Sequence, residues 1–296
     1  MSGAVRGPVV VGALGGSGTR SLATALDSLG IYVGASLNRA HDNLWFTLLC
    51  KRPHWLPDKL AGERPSPEIV RSLRVLEALM TGAPLDRDQL GVLGEAAADM
   101  AAWGHDGMGA MADARAFGLA VQALKRPPPE ELAWWGWKEP NSHLVLPELI
   151  ATFPDLRYVH VLRHPLDMAY SGNKMQMRIW GPAFGIPVPD DEAQWPNAQL
   201  RWWLASTRRA VAAGAQLGER FQLLRFEEFC AKPARGLGRL CDAFGIDATR
   251  RQLRAAAEHV SMPSSAGRWR DHGTADLDPD LVREAGEYGF EVPATR

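Results

Sequence analysis

The sequence predicts an α/β fold with three layers, in which an open parallel sheet is flanked by helices. Three observations support this prediction. Short apolar runs alternate along the chain with longer helical patterns, as they do in parallel α/β proteins. Hydrophobic residues make up 46% of the 296 residues, which is enough for a sizeable core. Glycine or proline bounds several of the apolar runs, as expected of short buried strands.

The apolar runs and helical patterns predict the elements in order. The predicted strands lie at residues 9–11, 31–33, 133–137, 158–162 and 221–224. The predicted helices lie at residues 18–29, 44–51, 67–79, 86–103, 108–124, 143–152, 194–217, 233–244 and 250–259. A long helical stretch therefore separates the second strand from the third. We expect one domain over residues 1–296, with a helical insertion at about residues 40–130 that shapes the substrate side.

The charge of the chain is balanced. Its 33 lysines and arginines face 34 aspartates and glutamates, which gives a formal net charge of −1. Such a chain has no overall attraction for DNA or RNA, although a local basic pocket is compatible with the total. Twenty-seven of the basic residues are arginine, the side chain best suited to forked contacts with phosphate. This balance argues against a protein that binds polyanions over its whole surface.

The cysteines and the first apolar run bear on compartment and metal binding. Cys50, Cys230 and Cys241 are too widely spaced for a zinc site or a redox pair, and their small number suits a reducing compartment. The apolar run at residues 9–14 is too short to span a membrane, and no signal-peptide pattern precedes it. We therefore expect a cytoplasmic protein without a metal site or a membrane span.

The strongest local motif is a glycine-rich turn after the first predicted strand. Glycines let successive backbone N–H groups converge, and the N-terminus of the following helix adds partial positive charge, so the turn predicts a cradle for a phosphate group. The cradle comprises Gly15, Gly16, Ser17, Gly18, Thr19 and Arg20. The motif differs from G-x-x-x-x-G-K-[ST], because Thr19 stands where lysine belongs, and from G-x-G-x-x-G in its glycine spacing. An ordinary tight turn is the alternative.

A second phosphate-binding pattern follows the fourth predicted strand. Arg163 ends that strand, Pro165 opens a helix, and Ser171 stands eight positions after Arg163. A guanidinium group makes a forked, charge-assisted contact with phosphate, and a hydroxyl group can complete it. Arg163 and Ser171 therefore predict a clamp on one phosphate, the alternative being a surface arginine and an unrelated helix serine.

Together these motifs resemble the sulfotransferases that use 3′-phosphoadenosine-5′-phosphosulfate (PAPS). In that family an S-G-T core holds the 5′-phosphosulfate and R-x-P-x-D-x-x-x-S holds the 3′-phosphate, which Ser17-Gly18-Thr19 and residues 163–171 match. Weaker matches in the family's order are Lys138-Glu139-Pro140 with His143, residues 224–229 followed by Pro233, and residues 264–270. The resemblance spans residues 9–270. It implies a P-loop-like nucleotide fold, PAPS as donor and adenosine 3′,5′-bisphosphate as product.

One position departs from the family pattern. Many members place lysine or arginine directly before S-G-T, where it contacts the leaving phosphate, but this chain has Gly16 there. The lost contact is worth roughly 1.5–3 kcal/mol, and Arg20 and Lys138 are the candidate replacements. The resemblance also implies that the C-terminal loop contacts the nucleotide through Arg268 and Trp269, with Arg270 as the alternative arginine.

Sulfuryl transfer also requires a base that accepts the proton of the acceptor. The family generally uses histidine or a carboxylate, and the sequence offers Asp42, His41 and His143, in that order of preference. Asp42 has an alternative role as the cap of the helix near residue 43, and His143 as a solvent-facing residue in a first helical turn. Lys138 is a further catalytic candidate because it ends a predicted strand, where ligands of open α/β folds bind.

The sequence therefore predicts a sulfotransferase that moves a sulfuryl group from PAPS to a hydroxyl or amine of a small-molecule or carbohydrate acceptor. Two alternatives belong to other classes of protein. A small-molecule kinase would share the phosphate cradle, but the missing lysine after Gly18 argues against it. A nucleotide-binding module without turnover would also share it, and Gly16 in place of a cation keeps that alternative open.

Overall fold

Five parallel strands form a single sheet in the computed structural model, which describes residues 5–62, 64–103, 128–129 and 131–293. They are β1 (Arg6–Ala13), β2 (Ile31–Tyr32), β3 (Trp134–Lys138), β4 (Arg157–Leu162) and β5 (Phe221–Arg225). The strand order is β2-β3-β1-β4-β5, and every neighbouring pair is parallel. The five predicted strands are all present, and the predicted α/β fold is confirmed.

Helices connect and flank the strands. Before β3 the chain forms α1 (Thr19–Ser28), α2 (Leu44–Cys50), α3 (Leu56–Ala61), α4 (Pro67–Thr81) and α5 (Arg87–Trp103). After β3 it forms α6 (Leu146–Thr152), α7 (Pro165–Ala169), α8 (Met175–Trp180), α9 (Trp195–Gly214), α10 (Phe226–Ala231), α11 (Pro233–Phe244), α12 (Arg250–Ala257), α13 (Trp269–His272) and α14 (Pro279–Gly286). The predicted helix at residues 108–124 lies outside the described residues. Across the described parts of the chain, no helix is long and apolar enough to cross a membrane.

The sheet is covered on both faces, because alternate side chains of each buried strand point to opposite sides. On one face Val10 and Tyr158 join a core that includes side chains of α2, α4 and α9. On the other face Val11 and Val159 join a core that includes side chains of α1 and α11. This double burial holds the carboxyl ends of β1, β3 and β4 rigidly side by side.

The first of these cores contains two fully buried histidines. The rings of His143 and His160 lie 5.8 Å apart, and Trp202 packs 5.9 Å from His143. Burial lowers the pKa of His143 to about 4 and that of His160 to about 3. Both imidazole rings are therefore neutral in the folded protein at pH 7. Below pH 6.5 the unfolded chain binds protons at these histidines that the folded protein does not bind until the pH is much lower.

The stability of the protein is expected to fall as the pH drops from about 6.5 towards 4. An unfolded histidine binds a proton near pH 6.5, so each buried neutral histidine costs about 2 kcal/mol of unfolding free energy at pH 5. We expect His160→Phe to lose about 2 kcal/mol less than the wild type between pH 7 and pH 5 in urea unfolding. Parallel stability profiles for the two proteins would contradict the assignment.

Candidate active site

A pocket of about 720 Å³ lies at the carboxyl ends of β1, β3 and β4. The glycine-rich turn after β1 forms one part of its wall, and Lys138 and Arg163 reach it from the ends of β3 and β4. A separate turn between β2 and α2, residues 39–42, completes the wall near Lys138. Ligands of open α/β sheets bind at this edge, so the pocket is the candidate active site.

The turn between β1 and α1 is shaped for an anion. Gly16 and Gly18 have φ angles of +93° and +79°, which L-side chains rarely adopt, and a Cβ on Gly18 would collide with the Phe226 ring. Helix α1 begins without a side-chain cap, whereas α4 and α12 are capped by Ser66 and Thr249. Its first-turn N–H groups are therefore free to bind a phosphate, and the predicted cradle fits such a group.

Arg163 and Ser171 approach this turn from the end of β4 and the residues after α7. Arg163 Nη1 donates a 2.9 Å hydrogen bond to the carbonyl oxygen of Gly16, and Nη2 donates one of 2.9 Å to Ser265 Oγ. Ser171 Oγ lies 3.9 Å from the position of a Cβ on Gly16. Among the described residues, the buried Nε of Arg163 has no partner. The two predicted phosphate motifs therefore meet at Gly16, and the Nε donor of Arg163 is left without a partner among the described residues.

The C-terminal loop before α13 lies against this arginine. Burial lowers the pKa of Arg163, and the next largest cause is the nearby charge of Arg268. The Asp167 carboxylate accepts hydrogen bonds from the backbone N–H groups of Gly267 and Trp269, at 2.7 and 3.2 Å. The Trp269 ring stacks on His164 at 5.5 Å and lines a neighbouring cavity of about 430 Å³. Arg268 thus lies near Arg163, but neither Arg268 nor the Trp269 ring, which packs on His164, lines the main pocket.

Lys138 and Asp42 form a largely buried ion pair at the end of β3. The Nζ of Lys138, which is 3% exposed, donates to Asp42 Oδ1 and to the carbonyl oxygen of Ala40 at 2.9 Å. Asp42 Oδ2 accepts a 3.0 Å hydrogen bond from Asn38. The side chain that caps α2 is Asn43, so the alternative role of Asp42 as a cap is wrong. Both carboxylate oxygens of Asp42 are already engaged by protein donors.

His41 lines the same pocket and has a φ angle of +62°, which is unusual for a residue other than glycine. Its Nδ1 lies 3.2 Å from Thr24 Oγ1, and the Thr24 hydroxyl donates a 3.1 Å hydrogen bond to the carbonyl oxygen of Arg20. A hydroxyl that has donated its proton can only accept from the ring. This arrangement is compatible with a ring proton on Nδ1 and a lone pair on Nε2.

His143 does not line the pocket, although the sequence offers it as a base. It lies on a 3₁₀ helix, Pro140–Val145, whereas the sequence predicts an α-helix from residue 143. Its Nδ1 is 3.0 Å from the carbonyl oxygen of Pro140, and the ring is fully buried. Both readings of His143, as catalytic base and as solvent-facing residue, are therefore wrong, because the turn capped by Glu139 directs it into the core.

Sequence reasoning missed Gln176 on α8. Its Oε1 accepts a 2.6 Å hydrogen bond from the Gly15 N–H, and its Nε2 donates one of 2.7 Å to Asn141. Asn141 is in turn held by the buried carboxylate of Glu139, which pairs with Lys51 at 3.3 Å. Gln176 therefore ties the phosphate cradle to the end of β3. No local pattern marks it, because its contact with Gly15 spans 161 positions.

The fold and the site define an α/β protein with a candidate anion-binding pocket at the carboxyl edge of its sheet. The sulfotransferase family model matches residues 8–250. The chain therefore belongs to the sulfotransferase family and is an enzyme of that family, as its motifs predict. This assignment excludes the kinase alternative.

Two solved structures share the fold over nearly the whole chain. The sulfotransferase domain from the curacin biosynthetic pathway has a TM-score of 0.52 and 15% identity, covering 98% of this chain and 99% of that one. The sulfotransferase domain from the Synechococcus PCC 7002 olefin synthase has a TM-score of 0.50 and 15% identity, covering 99% of each chain. No curated protein matches the sequence. At these identities the likeness extends to the fold alone.

Proposed function

We propose that this enzyme transfers a sulfuryl group from PAPS to a hydroxyl or amine of a small-molecule or carbohydrate acceptor. The observation that carries the proposal is the contact between Arg163 and Gly16. It brings the two motifs that are predicted to bind phosphate together at one pocket, and PAPS has anionic groups on both its 5′ and its 3′ oxygens. ATP has no 3′-phosphate and would leave the second group unused. His41 and Lys138 line the same pocket and supply groups for the acceptor side.

The donor would be held by two sets of residues. The free first-turn N–H groups of α1 and the hydroxyls of Ser17 and Thr19 suit the 5′-phosphosulfate. Arg163 and Ser171, with Arg268 beside them, suit the 3′-phosphate. When bound, the donor supplies an activated sulfuryl group and a phosphate leaving group, so the protein has mainly to position it and stabilise charge.

Arg20 is the cation that we assign to the leaving phosphate. The φ angle of +93° at Gly16 favours glycine over residues with a side chain. The contact that lysine or arginine makes from this position in many members of the family therefore has to come from another residue. Arg20 is exposed, belongs to the first turn of α1 and lines the pocket. Lys138, the other candidate, is engaged by Asp42 and Ala40. Its charge therefore serves mainly to hold the turn that carries His41.

His41 is the base that the geometry supports over Asp42. Its Nε2 lone pair would take the proton of the acceptor while the acceptor oxygen or nitrogen bonds to sulfur. The bond from sulfur to the 5′-phosphate oxygen breaks in the same displacement, and adenosine 3′,5′-bisphosphate leaves. Asp42 is a poorer base because Lys138 and Asn38 already occupy its two oxygens. We therefore assign Asp42 to the orientation of Lys138.

Calorimetric titrations with adenosine 3′,5′-bisphosphate, ATP and ADP in parallel test the proposal. We expect the bisphosphate to bind most tightly, because only it carries a 3′-phosphate for Arg163. Tight binding of ATP without binding of the bisphosphate would overturn the proposal. Binding of the bisphosphate without PAPS turnover on a broad acceptor panel would instead favour nucleotide binding without catalysis.

Replacing Arg163 by alanine is expected to weaken bisphosphate binding by roughly 1.5–3 kcal/mol, which is about 10- to 150-fold in Kd. The variant loses the charge-assisted contact with the 3′-phosphate and the hydrogen bond to Gly16. Calorimetry on the purified variant measures the loss. Arg71→Ala is the matched control, because Arg71 is an exposed arginine of α4 that does not line the pocket. An unchanged affinity in Arg163→Ala would show that the clamp is misassigned.

A further inference from the structure

The turn at residues 38–42 is a rigid platform beside the catalytic groups. Asn38 Oδ1 accepts hydrogen bonds from the backbone N–H groups of Ala40 and Asp42, at 2.8 and 2.9 Å. The backbone adds a 2.9 Å bond from the His41 N–H to the Asn38 carbonyl, and Lys138 holds the carbonyl oxygen of Ala40. The positions of Arg39 and His41 on this turn are therefore preset before any acceptor binds.

Arg39 is a cation on this platform whose side chain has no partner among the described residues. It is exposed and lines the pocket, and within the described parts of the chain it forms no ion pair or side-chain hydrogen bond. Two other cations of the pocket already have roles in the proposed function. Lys138 pairs with Asp42, and Arg163 belongs to the proposed 3′-phosphate clamp. Arg20 stands on the cradle itself. Among the described lysines and arginines that line the pocket, Arg39 is therefore the one to which the proposed binding of the donor gives no role.

The described lining of the pocket is mainly polar. Its apolar members other than glycine are Ala40, Pro140, Phe226 and Pro263, whereas most of the other described lining residues carry a charge, a hydroxyl, an amide or an imidazole. Sites for apolar ligands such as phenols or sterols are mainly apolar, so this lining favours a polar acceptor.

We infer that the acceptor is an anionic molecule, with a carboxylate or phosphate group bound by Arg39 close to the hydroxyl or amine that faces His41. This inference rests on the proposed function and narrows its acceptor class. A guanidinium group suits carboxylate and phosphate alike, because both offer two oxygens to its forked donors. The preset turn would place that anion and the reacting group in a fixed relation, so Arg39 selects the acceptor as well as binding it.

The test measures binding of acceptor probes to the enzyme saturated with adenosine 3′,5′-bisphosphate. Glucose 6-phosphate and glucuronate supply the phosphate and carboxylate arms, and glucose is the matched neutral probe. We expect at least one anionic probe to bind the wild type more tightly than glucose by about tenfold, and Arg39→Gln to remove about five- to tenfold of that affinity. The arm that binds identifies the anion.

Two variants sharpen the result. Arg39→Lys is expected to retain part of the affinity, because it keeps the charge but loses the fork, and Arg71→Gln is expected to behave as the wild type. Equal binding of glucose and both anionic probes, or an unchanged affinity in Arg39→Gln, would overturn the inference.

The bisphosphate titration separates this inference from the proposed function. Arg39 is not assigned to the donor, so Arg39→Gln is expected to bind the bisphosphate as the wild type does. Failure of the wild type to bind the bisphosphate would overturn the proposed function itself. Normal bisphosphate binding without any preference for anionic probes would overturn only the acceptor class.

Discussion

Replacing His41 by alanine is expected to lower kcat for sulfuryl transfer by about 10²- to 10⁴-fold, the usual contribution of a general base. The affinity for adenosine 3′,5′-bisphosphate is expected to stay unchanged, because the cradle and Arg163 are untouched. Thr24 holds Nδ1 at 3.2 Å and leaves Nε2 available to the acceptor, so the imidazole is poised to take a proton. Steady-state release of bisphosphate from PAPS, measured with an active acceptor, checks the loss.

Two further variants decide between the candidate bases. Thr24→Val removes the group that orients His41, and we expect a smaller loss of kcat with a changed pH profile. Asp42→Asn is expected to cost less than His41→Ala, because Asp42 acts by pairing with Lys138. If Asp42→Asn lost activity 10²-fold or more while His41→Ala kept most of it, the base would be Asp42.

Replacing Glu148 by alanine is expected to lower the unfolding free energy by about 3–5 kcal/mol. Glu148 is fully buried on α6 and accepts two hydrogen bonds from Arg64, one of them at 2.6 Å. Its Oε1 also accepts the backbone N–H of Ser66, the cap of α4, at 2.9 Å. Burial, and next the charge of Arg64, lower the pKa of Arg209 to about 10. Without Glu148 these neighbouring cations would lose their counter-charge inside the protein.

Urea denaturation of matched variants measures this effect. Glu77→Ala removes the exposed Arg74–Glu77 pair on α4 and is expected to cost less than about 1 kcal/mol. Glu148→Gln keeps an acceptor for Ser66 but loses the charge, so an intermediate loss is expected. A Glu148→Ala protein as stable as Glu77→Ala would show that the buried ion pair does not anchor α4 to α6.

The sheet and the glycine-rich turn could be predicted from sequence because their signals are local. A buried strand is a run of a few apolar residues, and the turn around Gly16 and Gly18 shows its need for positive φ angles in its composition. Arg163 and Ser171 also follow a short pattern at the end of β4. The same logic failed at residues 140–145, where Glu139 caps a 3₁₀ helix and His143 turns into the core.

The sequence by itself determined the family, the order of the strands along the chain and the two motifs that we propose to bind phosphate. Only the tertiary structure decided which side chains contact these motifs and one another. It paired Lys138 with Asp42 across 96 positions, held the Gly15 N–H with Gln176 and packed Trp269 onto His164. Such contacts join segments that are far apart in the chain, so no local pattern encodes them. They arise from the packing of helices against a common sheet, which brings distant side chains together at one edge.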